Sequence, residues 1–127
     1  MDRVMDERAF GTLLKYLAKI PAITGTIGHG ANDDGLWWIK FEIDINHELA
    51  WSAIQELAHV LNYLSVNERL PTTFYPVSPP PYLNGGPEFL SWVIENTDPD
   101  MKPGTVQKWL EGRLPNPVDS VEEWRSN

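Results

Sequence analysis

The run LWWIKFEIDI at residues 36–45 has the clearest secondary-structure pattern of this chain. Its side chains alternate: Trp37, Ile39, Phe41, Ile43 and Ile45 fall on one side, and Trp38, Lys40, Glu42 and Asp44 fall on the other. Because successive side chains of a strand point to opposite faces, this alternation predicts a half-buried antiparallel strand. The preceding residues 23–28 are rich in β-forming types, and HGANDDG at 29–35 has the Gly, Asn and Asp content of a turn. The segment therefore predicts a β-hairpin.

A helix predicted for residues 47–64 follows the strand directly. Its expected core stripe has helical spacing and consists of Leu49 or Ala50, Ala53, Ile54, Leu57, Val60, Leu61 and Leu64. The outer side carries Glu48, Trp51, Gln55, Glu56, His59 and Asn62. Asn46 is the expected N-cap, because its side chain can accept a hydrogen bond from a free backbone N–H of the first turn.

The flanking segments predict further helices and one edge strand. Residues 3–19 have an amphipathic helical pattern that Pro21 ends, and residues 72–77 favour a strand that Pro76 restricts to a sheet edge. Residues 78–82 are expected to form an extended, ordered surface loop. Short helices are predicted at 87–95, at 106–112 with Thr105 as cap, and at 121–125 with Asp119 or Ser120 as cap. The expected fold is α+β: a small antiparallel sheet packed against an N-terminal helix and a long central helix, with short C-terminal helices, in a single domain over residues 1–127.

Composition restricts the classes of function. The 127 residues include 18 acidic residues and 10 Lys or Arg, for a formal charge of −8, and contain no Cys. Such a charge repels nucleic-acid phosphates and anionic membranes and attracts a basic partner, although a charge of this size also simply keeps a protein soluble. The lack of Cys excludes disulfides and thiolate metal sites. The acidic first residues do not resemble a secretory signal, and no apolar run reaches the ~18 residues of a membrane span, so a cytoplasmic protein is expected.

No motif predicts a catalytic or metal site. His47 and Glu48 begin the HExxH pattern of zinc proteases, but Trp51 occupies the position of the second His. Glu56 and His59 have the ExxH spacing of di-iron bundles, which require a second such pair and two further carboxylates. We therefore expect no cofactor, no metal and no enzymatic activity. The alternatives are a small enzyme whose Asp, Glu and His residues meet only in the fold, and a structural subunit of a larger complex.

Two segments resemble a known group of proteins. The sequences WWIKFEIDINHELAWSAIQELAHVLNYLSVNERLP at 37–71 and FYPVSPPPYLNGGPEFLSWVIE at 74–95 are similar to small bacterial immunity proteins of contact-dependent growth inhibition and related polymorphic toxin systems. The similarity extends from residue 36 to residue 113. It implies a cytoplasmic binding protein that neutralises one cognate toxin domain, commonly a nuclease. It implies no fixed binding residues, because each immunity protein matches its own toxin.

Candidate partner-binding residues follow from the exposed sides of the predicted elements. A nuclease presents a basic cleft to its substrate, so exposed carboxylates are expected to face it, and Trp supplies a large rigid contact area. The candidates are Trp38, Glu42 and Asp44 on the polar side of the strand, and Glu48, Trp51 and Glu56 on the polar side of the helix. A one-dimensional pattern does not fix the orientation of the strand relative to the helix. The sequence therefore leaves open whether the two groups form one surface or lie on unrelated sides of the domain.

Overall fold

The computed structural model describes residues 7–63, 71–77 and 91–126. In chain order the elements are α1 (Glu7–Lys19), β1 (Ile23–Ala31), β2 (Trp37–Ile43), α2 (Ala50–Ala58) with a π-helical turn (His59–Tyr63), β3 (Thr72–Val77), β4 (Ser91–Asn96), α3 (Pro103–Glu111) and α4 (Val121–Ser126). The chain is therefore α+β, with several helices and a small antiparallel sheet, as the sequence predicted. Among the described residues, no helix combines the length and the apolar character needed to cross a bilayer.

The sheet has four strands in the order β1-β2-β4-β3, and every neighbouring pair is antiparallel. β1 and β2 form the predicted hairpin. β4 pairs with β2 on one side and β3 on the other, so that Phe41 lies opposite Trp92 and Ile94 lies opposite Phe74. β3 is an edge strand and contains Pro76, which confirms that prediction.

The predicted alternation along β2 sets the two faces of the sheet. Trp37, Ile39, Phe41 and Ile43 are buried in one core cluster with the apolar sides of α1 and α2. The core residues of α2 and the π-helical turn include Ala53, Leu57 and Leu61, each 0% exposed. The opposite side of the sheet, called the outer face below, carries Trp38, Lys40 and Glu42 of β2, Val93 and Glu95 of β4, and Thr73 and Tyr75 of β3.

The helix predicted at 87–95 is wrong for its described part, because residues 91–96 form the central strand β4. Both faces of this strand are covered: Trp92 and Ile94 face the core, while Val93, on the outer face, is only 8% exposed. A strand buried on both faces has no polar alternation, so a short apolar run after a proline is open to a helical interpretation. Pairing with two neighbouring strands overrides that local signal.

The central helix begins later than predicted, and Asn46 is not its cap. The N-cap position is Leu49, which makes no side-chain capping bond, and the helix starts at Ala50. In the preceding connection, Asp44 Oδ1 accepts the Asn46 N–H at 3.0 Å, and His47 Nδ1 accepts the Leu49 N–H at 3.0 Å. These side-chain hydrogen bonds hold the backbone before Ala50 in a non-helical conformation, which explains why the helix begins later than predicted.

The C-terminal end of the central helix is a π-helical turn that contacts β3. Asn62 makes two hydrogen bonds to one residue of this edge strand: the Phe74 N–H donates to Asn62 Oδ1 at 2.8 Å, and Asn62 Nδ2 donates to the Phe74 carbonyl at 3.0 Å. Thr72 Oγ1 also donates to the Leu61 carbonyl at 2.9 Å, which satisfies an acceptor at the helix end. The helix end and the sheet edge therefore satisfy one another's backbone groups.

A buried amide fixes the segment that follows β4. Asn96 is 1% exposed, and its Oδ1 accepts the Trp37 N–H at 2.7 Å. Its Nδ2 donates to the Asp98 carbonyl at 2.5 Å. Trp37 Nε1 donates to the Met101 carbonyl at 2.8 Å. Together these bonds attach residues 98–101 to the centre of the sheet.

Two of the predicted helices close the fold. α3 starts at Pro103 with Lys102 at the cap position, so Thr105 is not the cap; proline at the first position fixes the start instead. At α4, Ser120 Oγ accepts the Glu123 N–H at 3.3 Å, which confirms Ser120 as the cap. The predictions for residues 3–6, Leu64, the extended loop at 78–82 and residues 87–90 lie outside the described residues.

Candidate protein-binding surface

The six candidate residues do not form one surface. Trp38 and Glu42 lie on the outer face of the sheet, whereas Trp51 belongs to α2, whose buried side packs on the other face. Because the sheet and the core separate them, Trp38 and Trp51 cannot anchor the same small contact patch. Asp44 and Glu48 lie in the connection between β2 and α2, and Glu56 lies farther along α2, where it is half-buried.

The six Trp residues differ greatly in exposure. Trp37, Trp92 and Trp124 are between 1% and 6% exposed and contribute to the core. Trp38 and Trp109 are half-buried, and the Arg113 guanidinium lies 3.8 Å from the centre of the Trp109 ring. Trp51 is 58% exposed and is the most exposed large hydrophobic side chain among the described residues. Trp51 is therefore the Trp best placed to contact another molecule.

The start of α2, where Trp51 lies, is joined to α4 by an ion pair. Glu48, three residues before Trp51, forms an ion pair with Arg125 of α4, and Arg125 NH1 also lies 3.6 Å from Glu122 Oε2. The hydrogen bond to Glu48 and the charge of Glu48 raise the pKa of the Arg125 guanidinium above its usual value. We call the set Glu48, Trp51, Glu122 and Arg125 the Trp51 surface. Its two carboxylates outnumber its single cation, so its local charge is negative.

Individual candidates differ in what else their side chains do. The Asp44 carboxylate is exposed but holds the Asn46 N–H, so it has a structural role in the turn, and it follows β2 rather than lying on its polar face. Glu48 precedes α2 rather than lying on it. Glu42 is exposed on the outer face, opposite Gly25 of β1. Of the predicted acids, Glu48 is the nearest in sequence to Trp51, and it is the one that pairs with a cation of α4.

A cleft lies elsewhere, between the ends of α1 and α3 and the segment before α4. Its volume is about 460 Å³, and its lining includes Tyr16, Lys19, Glu111 and Asp119. Burial, followed by the charge of Glu111, raises the pKa of the Tyr16 hydroxyl to about 12. Tyr16 therefore remains protonated at neutral pH and can donate a hydrogen bond, but it cannot act as a base. The cleft can hold a polar group, and it offers no activated nucleophile from these residues.

The His and Glu residues of the two partial metal motifs, His47, Glu48, Glu56 and His59, do not line this cleft. His47 Nδ1 accepts a backbone N–H, and neither His47 nor His59 is among the residues that line it. Within the part of the chain that the structure describes, no group of three or more His, Asp or Glu side chains is placed to hold a metal ion.

Sequence reasoning missed the contribution of α4 and of β4. Arg125 and Glu122 join the Trp51 surface only through the tertiary contact with Glu48, and no sequence pattern indicates it. Glu95 and Tyr75 were missed because β4 was predicted as a helix, which hid the pairing that places them together on the outer face. No alternation of apolar and polar residues favours a strand there, because Trp92, Val93 and Ile94 are all apolar.

Comparison with known proteins reveals no relative of this chain: no protein-family model matches the sequence, and no curated protein or solved structure gives a significant match.

Proposed function

We propose that this chain is an immunity-type binding protein that neutralises a basic toxin domain by covering its active site, without enzymatic activity of its own and inside the cytoplasm. The observation that supports the proposal most is Trp51, which is 58% exposed and lies three residues from Glu48 on a chain of net charge −8. The resemblance of residues 36–113 to immunity proteins supplies the class of partner. A nuclease is the expected toxin, since it must present cationic groups to phosphates.

The Trp51 surface has the two kinds of group that fast and tight capture requires. Trp is enriched among interface residues whose truncation costs at least about 2 kcal/mol, because it buries a large rigid area and orders few torsions. The carboxylates of Glu48 and Glu122 attract a basic partner and mainly raise the rate of association. The Glu122 side chain is 84% exposed, so a partner can approach it directly.

The outer face is the rival location for the interface. It holds Trp38 and Glu42, but Trp38 is half-buried and Lys40 lies between them on the same strand. Lys40 therefore repels a basic partner from the part of this face where Trp38 and Glu42 lie. The Trp51 surface places its cation, Arg125, in contact with two carboxylates, which neutralise it.

Binding kinetics with the toxin domain encoded beside this chain's gene test the proposal. Trp51→Ala is expected to speed dissociation by at least about 30-fold, the equivalent of a 2 kcal/mol anchor. Glu122→Lys is expected to slow association and to reduce its salt dependence. Glu42→Lys is the matched control, because it changes net charge equally but lies on the outer face.

The outcomes separate the location of the interface from the function itself. If Glu42→Lys slows association while Trp51→Ala and Glu122→Lys bind like wild type, the interface is the outer face. If wild-type protein, folded by circular dichroism, binds neither the neighbouring domain nor any basic toxin domain, the proposed function is wrong.

A further inference from the structure

A smaller cleft opens at one end of the sheet, where the β1–β2 turn meets the end of β4. Its volume is about 260 Å³, and its lining includes Trp38, Glu95, Asn32 and Thr97. Trp38 and Glu95 are direct cross-strand partners of β2 and β4. Side chains in that relation start about 4.5–5.5 Å apart at Cβ, so an indole and a carboxylate are available to one small ligand.

The Trp38 ring is fixed by β1. Gly30 lies opposite Trp38, and a Cβ placed on this glycine would lie 3.0 Å from Trp38 Cζ2 and 3.1 Å from Trp38 Nε1. Gly28 allows a similar approach, with 3.8 Å from its Cβ position to Cη2. Glycine thus lets the indole pack against the β1 backbone. The ring is half-buried, and it also lines the cleft.

The Glu95 carboxylate is also held in place. Tyr75 of β3 donates its hydroxyl hydrogen to Glu95 Oε1 at 3.2 Å. Burial, and then the neighbouring Glu95, raise the pKa of the Tyr75 hydroxyl, so it remains a donor at neutral pH. The hydroxyl and the strand pairing hold the carboxylate of a residue that lines the cleft together with Trp38, and the carboxylate keeps lone pairs for further donors.

Charges around the cleft favour a cation. Asp33 and Asp34 are exposed in the turn beside it, and Asp98 and Asp100 belong to the segment that touches this turn. The contact is close: a Cβ on Gly35, whose φ is +90°, would lie 2.9 Å from Pro99 Cβ. Lys40 and Lys102 are the cations on the adjacent elements, so carboxylates are in excess. An inorganic cation does not fit, because no group of three or more His, Asp or Glu among the described residues can hold a metal.

We propose that this cleft binds the guanidinium group of an arginine side chain, stacked on Trp38 and hydrogen-bonded to Glu95. A planar guanidinium stacks on indole faces and matches the geometry of a carboxylate. Asn32 and Thr97 provide polar atoms at the rim for the adjoining peptide. The site lies on the side of the sheet opposite Trp51 and stands independently of the proposed function.

Titration of the full chain with N-acetyl-arginine amide, followed by the NMR signal of the Trp38 indole N–H, tests this site. The neutral isostere N-acetyl-citrulline amide is the matched ligand control. We expect saturable binding of the arginine amide and at least about tenfold weaker binding of the citrulline amide, because a charge-assisted hydrogen bond is roughly twice as strong as a neutral one. Glu95→Gln is expected to reduce arginine binding by a similar factor.

Two further variants make the assignment specific. Glu42→Gln removes a carboxylate of the same face outside the cleft and is expected to change affinity less than about twofold, since exposed charges at a distance are screened. Tyr75→Phe removes the bond that positions Glu95 and is expected to weaken arginine binding while citrulline binding stays constant. The proposal is wrong if arginine and citrulline amides bind equally, or if folded Glu95→Gln protein binds arginine amide like wild type.

Discussion

The single substitutions Trp37→Phe and Trp92→Phe measure how much the N–H of a buried indole contributes to the free energy of unfolding of this protein. The two side chains are 1% and 6% exposed and face the core from adjacent strands. Trp37 Nε1 donates to the Met101 carbonyl at 2.8 Å. Trp92 Nε1 is buried, and no hydrogen-bond partner for it exists in the described structure. The same atoms are removed in both cases, so the loss of apolar contact is closely matched.

The expected difference follows from these two N–H groups. At position 37 the substitution removes a hydrogen bond that contributes about 0.5–1.5 kcal/mol. At position 92 it removes a buried donor whose desolvation costs the wild type about 1–3 kcal/mol. Trp37→Phe should therefore lower the free energy of unfolding by about 1.5–4.5 kcal/mol more than Trp92→Phe, as the sum of the two effects.

Urea unfolding followed by circular dichroism measures both losses without relying on Trp fluorescence. The comparison holds if the free energy of unfolding decreases with urea concentration at the same slope in both variants, because an equal slope indicates an unchanged unfolded state. Equal losses, or a larger loss for Trp92→Phe, would refute the assignment of an unsatisfied N–H to Trp92.

Three further expectations concern the core, the Trp51 surface and the larger cleft. Leu57→Ala should cost about 2–5 kcal/mol in urea unfolding, as at other fully buried sites, and a loss below about 1 kcal/mol would contradict its core position. Arg125→Gln should speed association with a basic toxin domain at low salt, because it removes the cation among the carboxylates; unchanged association would place the interface elsewhere. The Tyr16 phenol should titrate near pH 12 in a phenolate absorbance titration. The pKa of Tyr16 in the folded state exceeds the ordinary 10.0, so the unfolded state loses this proton first as the pH rises. The contribution of Tyr16 to the free energy of unfolding should be fully present below pH 10 and should be lost as the pH rises towards 12. Ionisation of all tyrosines near pH 10 would contradict this expectation.

The strongly periodic elements could be predicted from the sequence. β2 shows the alternation of buried and exposed residues that residues 37–43 indicated, and the core stripe of α2 is buried at the expected positions. In each element one face packs against the core and the other contacts solvent, so apolar residues recur in the sequence with the period of the strand or helix. The edge position of β3 was also predictable, because Pro76 cannot donate to a second neighbouring strand.

Elements that depend on tertiary partners could not be predicted in the same way. β4 is buried on both faces and therefore lacks a period of two, and its identity as a strand depends on pairing with β2 and β3. The start of α2 depends on side-chain bonds of Asp44 and His47 that compete with helix.

The candidate site was predicted only in part, for the same reason. Trp51 and Glu48 were identified from the polar side of the helix, but their separation from Trp38 and Glu42 is a property of layer packing. Arg125 reaches Glu48 across 77 positions of sequence, and no local pattern carries that information.

The amide of Asn62 has a consequence for how copies of this chain behave towards each other. An edge strand normally offers alternate N–H and C=O groups on which a strand from another molecule can extend the sheet. At Phe74 both of these groups are already bound by the one side chain, and Pro76, two residues on, has no N–H to offer. An incoming strand would have to displace the amide before it formed its first bonds there. The π-helical turn thus places a side chain where it obstructs intermolecular strand addition, and this edge of the sheet is poorly suited to seed aggregation.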